Sequence, residues 1–132
     1  MIVDTSAIVA IALNESGRDR LVEALMGAAE PKMSAATLVE VAAVLMRRLK
    51  PEDLRRVERL IDQLGIVTVP FDAEQATNAA RAYREFGRGS GHRASLNLGD
   101  CYSYALASVT GEPLLFVGDD FIHTDITAVA LE

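Results

Sequence analysis

Four acidic positions carry the chemistry that this sequence can offer. Asp4 follows the apolar pair Ile2-Val3, and Glu40 lies inside the apolar stretch SAATLVEVAAVL. Asp100 precedes Cys101 in LNLGDCYSYALA, while Asp119 and Asp120 follow Gly118 in PLLFVGDDFIHTDI. These are hard oxygen ligands, and no Cys-x-x-Cys pair or cluster of histidines accompanies them. Carboxylates crowded into one pocket repel unless cations neutralise them. The ion selected by such a donor set is hard, Mg²⁺ or Mn²⁺ rather than structural zinc. That combination suits hydrolysis of a phosphodiester, in which metal ions activate water and stabilise the leaving oxygen.

Each acid also has a plain structural reading. Asp4 is a favoured N-cap for a helix starting at Thr5, and Asp100 for the helix after it. Thr37-Leu38-Val39-Glu40 fits a capping box. Ser34 is an equally good cap, however, and a helix starting there leaves Glu40 in its second turn among apolar neighbours. No basic residue lies three or four positions from Glu40, so its partner must come from elsewhere in the fold. Asp119 and Asp120 fit an ordinary turn after glycine.

The elements that position these acids alternate between strand and helix. Strands are expected at Ile2-Val3, Pro31 to Ser34, Ile66 to Val69 and Leu114 to Val117, with a further short one at Ala128 to Leu131. Helical spacing runs over Thr5 to Leu13, Leu21 to Ala29, Ala35 to Leu49, Pro51 to Leu64, Ala73 to Phe86, and from Asp100 to about Val109. Pro51 opens its helix and Gly65 sits where a C-terminal cap belongs. Gly87 to Asn97 is a Gly-, Ser- and Arg-bearing loop. Strands separated by helices require crossover connections, hence a three-layer α/β/α sandwich with a mostly parallel central sheet of four to five strands. Ligands in such sheets gather at the carboxyl ends of the strands, where Asp4, Asp100 and the 118–121 turn all fall.

With 132 residues, half of them hydrophobic, the chain is read as a single domain, 1–132, with a core of its own. The N-terminal stretch lacks a basic n-region and a cleavage pattern, and no apolar run reaches membrane-spanning length. One cysteine makes no internal disulfide, which fits a reducing cytoplasm, with Cys101 as a small buried hydrophobe. The net charge of −6 argues against a simple electrostatic coat for nucleic acid. Two divalent ions at the acids would add about four positive charges and reverse the field locally.

Taken together, MIVDTSAIVAI, SAATLVEVAAVL, LNLGDCYSYALA and PLLFVGDDFIHTDI resemble, in order and spacing, the PIN domain of VapC toxins from bacterial VapBC toxin–antitoxin pairs. The resemblance runs through nearly the whole chain. It implies an Mg²⁺-dependent endoribonuclease (Mn²⁺ an alternative ion), an RNA substrate with transfer RNA foremost, inhibition by a cognate antitoxin, and a homodimer. Carried over by position, the acids are Asp4, Glu40, Asp100 and Asp119, with Asp120 the adjacent alternative. Asp4 and Asp100 are then the principal metal ligands, and Glu40 completes the pocket or positions water. Thr5 and Ser6 match a polar pair that supports the first Asp, and they also suit a helix start.

Arg81, Arg84 and Arg88 fall on one helical face that leads to His92 and Arg93. This line is expected to guide an RNA backbone, or else to be a solvated face. His92 is a possible proton donor, His123 less so. Arg47, Arg48, Lys50, Arg55, Arg56 and Arg59 alternate with acids and read as an exposed face or an antitoxin contact. With three Tyr, four Phe and no Trp, stacking platforms for a long single strand are few, which favours recognition of folded RNA by shape. Two other functions remain open on the sequence. A phosphatase or phosphotransferase acting on a small substrate is disfavoured because Ser6 replaces the second Asp of D-x-D and no phosphate loop is present. The other is a non-enzymatic binding module whose acids only cap helices.

Overall fold

The computed structural model describes residues 1–131; Glu132 lies outside the described residues. The chain runs β1 (Ile2–Val3), α1 (Thr5–Ala12), α2 (Arg18–Gly27), β2 (Lys32–Ser34), α3 (Ala35–Met46), α4 (Pro51–Gln63), β3 (Val67–Val69), α5 (Ala73–Phe86), α6 (Leu98–Thr110) and β4 (Leu114–Leu115). The strands form one sheet in the order β3-β2-β1-β4, and every pairing is parallel.

Alternation along these short strands divides the core in two. Val3, Met33 and Leu115 belong to the cluster with Ile8, Leu25, Leu45 and Ile61, from α1 to α4. Ile2 and Leu114 belong to the cluster with Ala82, Phe86, Leu96 and Leu106, from α5, α6 and the loop between them. Successive strand residues point to opposite faces, so the two-residue strands β1 and β4 each feed both layers. The three-layer sandwich follows from that alternation.

Several boundaries differ from the sequence reading, α3 for example ending at Met46 rather than Leu49 and α2 running over Arg18–Gly27 rather than Leu21 to Ala29; three of the differences have a specific partner. β4 stops at Leu115 rather than Val117, because the Val117 amide leaves the sheet and donates to Ser6 Oγ at 2.9 Å. The strand expected at Ala128 to Leu131 contracts to a single parallel bridge between Ala128 and Leu114, held by Leu114 N to Thr127 O and Val129 N to Leu114 O, both 2.9 Å. The last helix starts at Leu98, so Asp100 is not its N-cap; Asn97 is. Asn97 Oδ1 accepts the Asp100 amide at 2.8 Å, and Asp100 Oδ2 accepts the Asn97 amide at 3.0 Å. This reciprocal capping box satisfies two amides that a helix start otherwise leaves unpaired.

Candidate active site

Asp4 sits at the carboxyl end of β1, in the middle of the sheet. It caps α1 as expected, its Oδ2 accepting the Ser6 amide at 3.0 Å and the Ser6 hydroxyl at 2.7 Å. Its other oxygen, Oδ1, accepts the hydroxyl of Ser103 at 2.6 Å. The residue is 2% exposed, and burial pushes its pKa up against the lowering effect of these donors.

Glu40 projects from α3, which is capped by Ser34 through the Ala36 amide. With the helix starting at Ala35, Glu40 lies in the second turn, and the Thr37 box does not form. Its missing partner is Thr5, whose hydroxyl donates to Glu40 Oε1. Burial raises the Glu40 pKa, the Thr5 hydrogen bond lowers it, and the charge of Asp4 raises it. The end of the Glu40 side chain lies against Gly99, in the first turn of α6.

Asp100, at the third position of α6, is 7% exposed. Burial, with the charges of Asp4, Asp120 and Glu40 adding to it and the Asn97 amide opposing, pushes its carboxyl up to about 7. Asp4, Glu40 and Asp100 thus stand in one another's field. Among the described residues the ion pairs join Met1 and Lys32 to Glu112, Arg18 to Asp19 and Arg56 to Asp53, and none reaches these three acids.

Asp119 and Asp120 are exposed in the turn after Gly118, whose φ of +100° suits glycine. Of the two, Asp120 is the one whose charge raises Asp100. Ser6 Oγ links Asp4 to the Val117 amide, and so holds the segment leading into that turn beside the first acid.

Arg81, Arg84, Arg88 and Arg93 are exposed on α5 and the following loop. Arg81 acts on the Tyr104 hydroxyl, which donates to Asp125 Oδ1 at 2.6 Å. None of the four arginines is among the charges that shift Asp4, Glu40 or Asp100. His92 braces its own loop, its Nδ1 accepting the Ala94 amide at 3.1 Å and its ring meeting Phe86 edge-on. The loop is closed by Arg88 N to Leu96 O and Leu96 N to Phe86 O. His123 is half-buried.

Among the described residues no three His, Cys, Asp or Glu side chains form a ready-made metal cage. The donor set nevertheless fits a hard cation. Mg²⁺ keeps several waters and is held through one or two carboxylates plus substrate oxygens, rather than by an all-protein cage. Buried acids without cationic partners are what such an ion neutralises. Three supporting residues escaped the sequence reading: Asn97, Gly99 and Ser103. Asn97-x-x-Asp100 was a visible capping signature, and Ser103 lies one turn after Asp100 on the same face; nothing in the sequence pointed from Gly99 to Glu40.

A family model described as "PIN domain" matches residues 1–126. Ribonuclease VapC42 of Mycobacterium tuberculosis is 62% identical over 126 residues, which cover 96% of each chain. The crystal structure of M. tuberculosis VapC20, described as a sarcin–ricin loop cleaving toxin, matches with a TM-score of 0.76 at 16% identity over 97% of each chain. VapBC2 of Rickettsia felis, bound to a DNA fragment from its promoter, matches with a TM-score of 0.74 at 12% identity over 96% of this chain and 94% of that one. The chain belongs to the PIN-domain family, among its VapC ribonucleases.

Proposed function

We propose that this ribonuclease is the toxin of a VapBC pair, an Mg²⁺-dependent endoribonuclease that cuts folded RNA and is silenced by a cognate antitoxin. The observation that carries the reading is the convergence of Asp4, Glu40 and Asp120 on Asp100: burial first, and the charges of these three acids in addition, hold Asp100 up to about 7, and among the described residues no cationic side chain is paired to it. A divalent ion bound there supplies charge neutralisation and an activated water for attack on the phosphodiester.

The protein's own residues prepare that chemistry. Asp4 and Asp100 hold the ion, Mn²⁺ serving in place of Mg²⁺. The Thr5 hydroxyl occupies Glu40 Oε1, which leaves Oε2 to orient a water or accept its proton. Asp120 serves as the fourth acid in preference to Asp119, since its charge reaches Asp100. Arg81, Arg84, Arg88 and Arg93 guide the RNA backbone toward the acids, with His92 shaping the loop that carries Arg93. Transfer RNA is the favoured substrate; the description of VapC20 as cleaving the sarcin–ricin loop supports a folded RNA more generally. The antitoxin partner is supported by the VapBC2 complex, and a homodimer acting in the cytoplasm completes the reading. Among the described residues no helix is long and apolar enough to cross a membrane.

The test is cleavage of a panel of transfer RNAs, a ribosomal stem-loop and an unstructured transcript, with Mg²⁺, with chelator, and after adding the product of a small neighbouring antitoxin gene. Cleavage of the folded RNAs that stops with chelator and with antitoxin is expected. Equal cutting of the unstructured transcript, or cutting that ignores the antitoxin, contradicts the proposal.

A further inference from the structure

Ser103 stands in the middle of α6, and its side chain is fully buried. Its hydroxyl lies 2.6 Å from Asp4 Oδ1 and 3.3 Å from the hydroxyl of Thr37. A serine hydroxyl has one proton to give, and an ionised carboxylate can only accept. The Ser103 proton therefore goes to Asp4, and in the longer contact Thr37 is the donor. The result is a directed chain from Thr37 on α3, through Ser103 on α6, to Asp4 at the end of β1. Thr37 lies one turn before Glu40, and Ser103 one turn after Asp100. One buried chain thus joins the three elements that carry the buried Asp4 and Asp100 and the half-buried Glu40.

Both oxygens of Asp4 are engaged from the inside, Oδ2 by Ser6 and Oδ1 by Ser103. The Ser6 amide and hydroxyl both grip Oδ2, and Ser103 is the side chain that grips Oδ1. The second grip fixes the plane of the group. We infer that Ser103 is a positioning residue for the metal site: it orients the Asp4 carboxylate toward the cation and registers it against Glu40 and Asp100 through Thr37. The inference rests on the metal-dependent reading above. Donors behind a ligating carboxylate typically change metal affinity or activity by roughly 10- to 100-fold when removed.

Calorimetric titration of metal-free protein with Mn²⁺ tests it, alongside kcat and KM for RNA cleavage. S103A is expected to weaken Mn²⁺ binding by roughly 10- to 100-fold, to lower kcat, and to leave the KM for RNA unchanged. S103T, which keeps the hydroxyl, is expected to bind Mn²⁺ nearly as well as the wild type. T37V, which removes only the outer donor, should show a smaller loss than S103A. If S103A does not fold, S103C keeps the volume with only a weak S–H donor and carries the same expectation. S103A or S103C binding Mn²⁺ as tightly as wild type, beside a D4N variant that does not bind, overturns the role of Ser103 alone. Equal Mn²⁺ binding by wild type and D4N, or none by the wild type, overturns the metal reading and this inference with it.

Discussion

The carboxylate of Glu40 and a β-carbon on residue 99 cannot occupy the same place: the end of the α3 side chain fills the space beside Gly99 in the first turn of α6. Glycine there is a condition for Glu40 to reach the site, since the α6 backbone must pass directly behind its carboxylate. Gly99 has no positive φ, so alanine is tolerated by the backbone and helix propensity favours it by up to about 1 kcal/mol. Gly99→Ala is therefore expected to fold with little change in Tm while pushing the Glu40 carboxylate aside. A displacement on the order of 1 Å at a reacting centre costs roughly 100-fold in rate. Parallel measurement of Tm and kcat/KM checks this; full activity in a folded G99A variant would show that Glu40 has no need of its observed position.

Asp100→Asn separates the cap from the site. The capping box uses Asp100 Oδ2 only as an acceptor for the Asn97 amide, and an asparagine carbonyl accepts equally well. The substitution also removes a charge that is buried near Asp4, Asp120 and Glu40. Without metal, D100N should therefore melt at or above the wild-type temperature, while RNA cleavage is lost. A large fall in Tm would mean that Asp100 acts mainly as a structural anchor.

Asn97→Ala removes the true cap. The Asp100 amide loses its acceptor, and loss of an N-cap costs about 0.5–2 kcal/mol. Denaturant unfolding should show a decrease in that range. An unchanged midpoint would place the start of α6 under other control.

The pH dependence of stability has a definite sign. The folded carboxyl of Asp100 lies at about 7 against an ordinary 3.8, and Asp4 and Glu40 are raised as well. The folded state therefore holds protons more tightly than the unfolded one between those values. The stabilisation from protonated Asp100 is complete below about 3.8 and is lost as pH rises through about 7. Glu112, which Lys32 and the N-terminal amine hold below its ordinary 4.5, has the opposite sign and acts only at lower pH. Metal-free Tm should thus decline between about pH 5 and 7, and Mn²⁺ should raise Tm most at the upper end. Differential scanning with and without Mn²⁺ reads both; a metal-free Tm that climbs across this interval would contradict the shared field of the acids.

Much of this architecture was legible because local rules and the global fold agree. Ile2-Val3 before Asp4, Ser34 before α3 and Pro51 at the head of α4 each pair a periodic apolar pattern with a fitting terminus. The failures are places where a distant partner decides. Val117 belongs by composition to a strand, yet Ser6 takes its amide. Ala128 pairs for only one residue because Leu114 offers a single bridge there. Asn97 and Asp100 are both good caps, and the geometry resolves them into one reciprocal box. The acids themselves were visible by type and spacing, whereas Thr5 against Glu40 and Ser103 against Asp4 are contacts between residues 35 and 99 positions apart. Such pairings follow from the parallel crossovers and leave no periodic trace in the chain.

The proposed chemistry depends most directly on the buried carboxylates being a cation site. Calorimetric titration of metal-free wild type, D4N and D100N with Mn²⁺ tests that claim, with circular dichroism confirming that each variant is folded. Saturable Mn²⁺ binding by the wild type that is abolished in both variants is the predicted result. Binding that persists unchanged in folded D4N and D100N would contradict it.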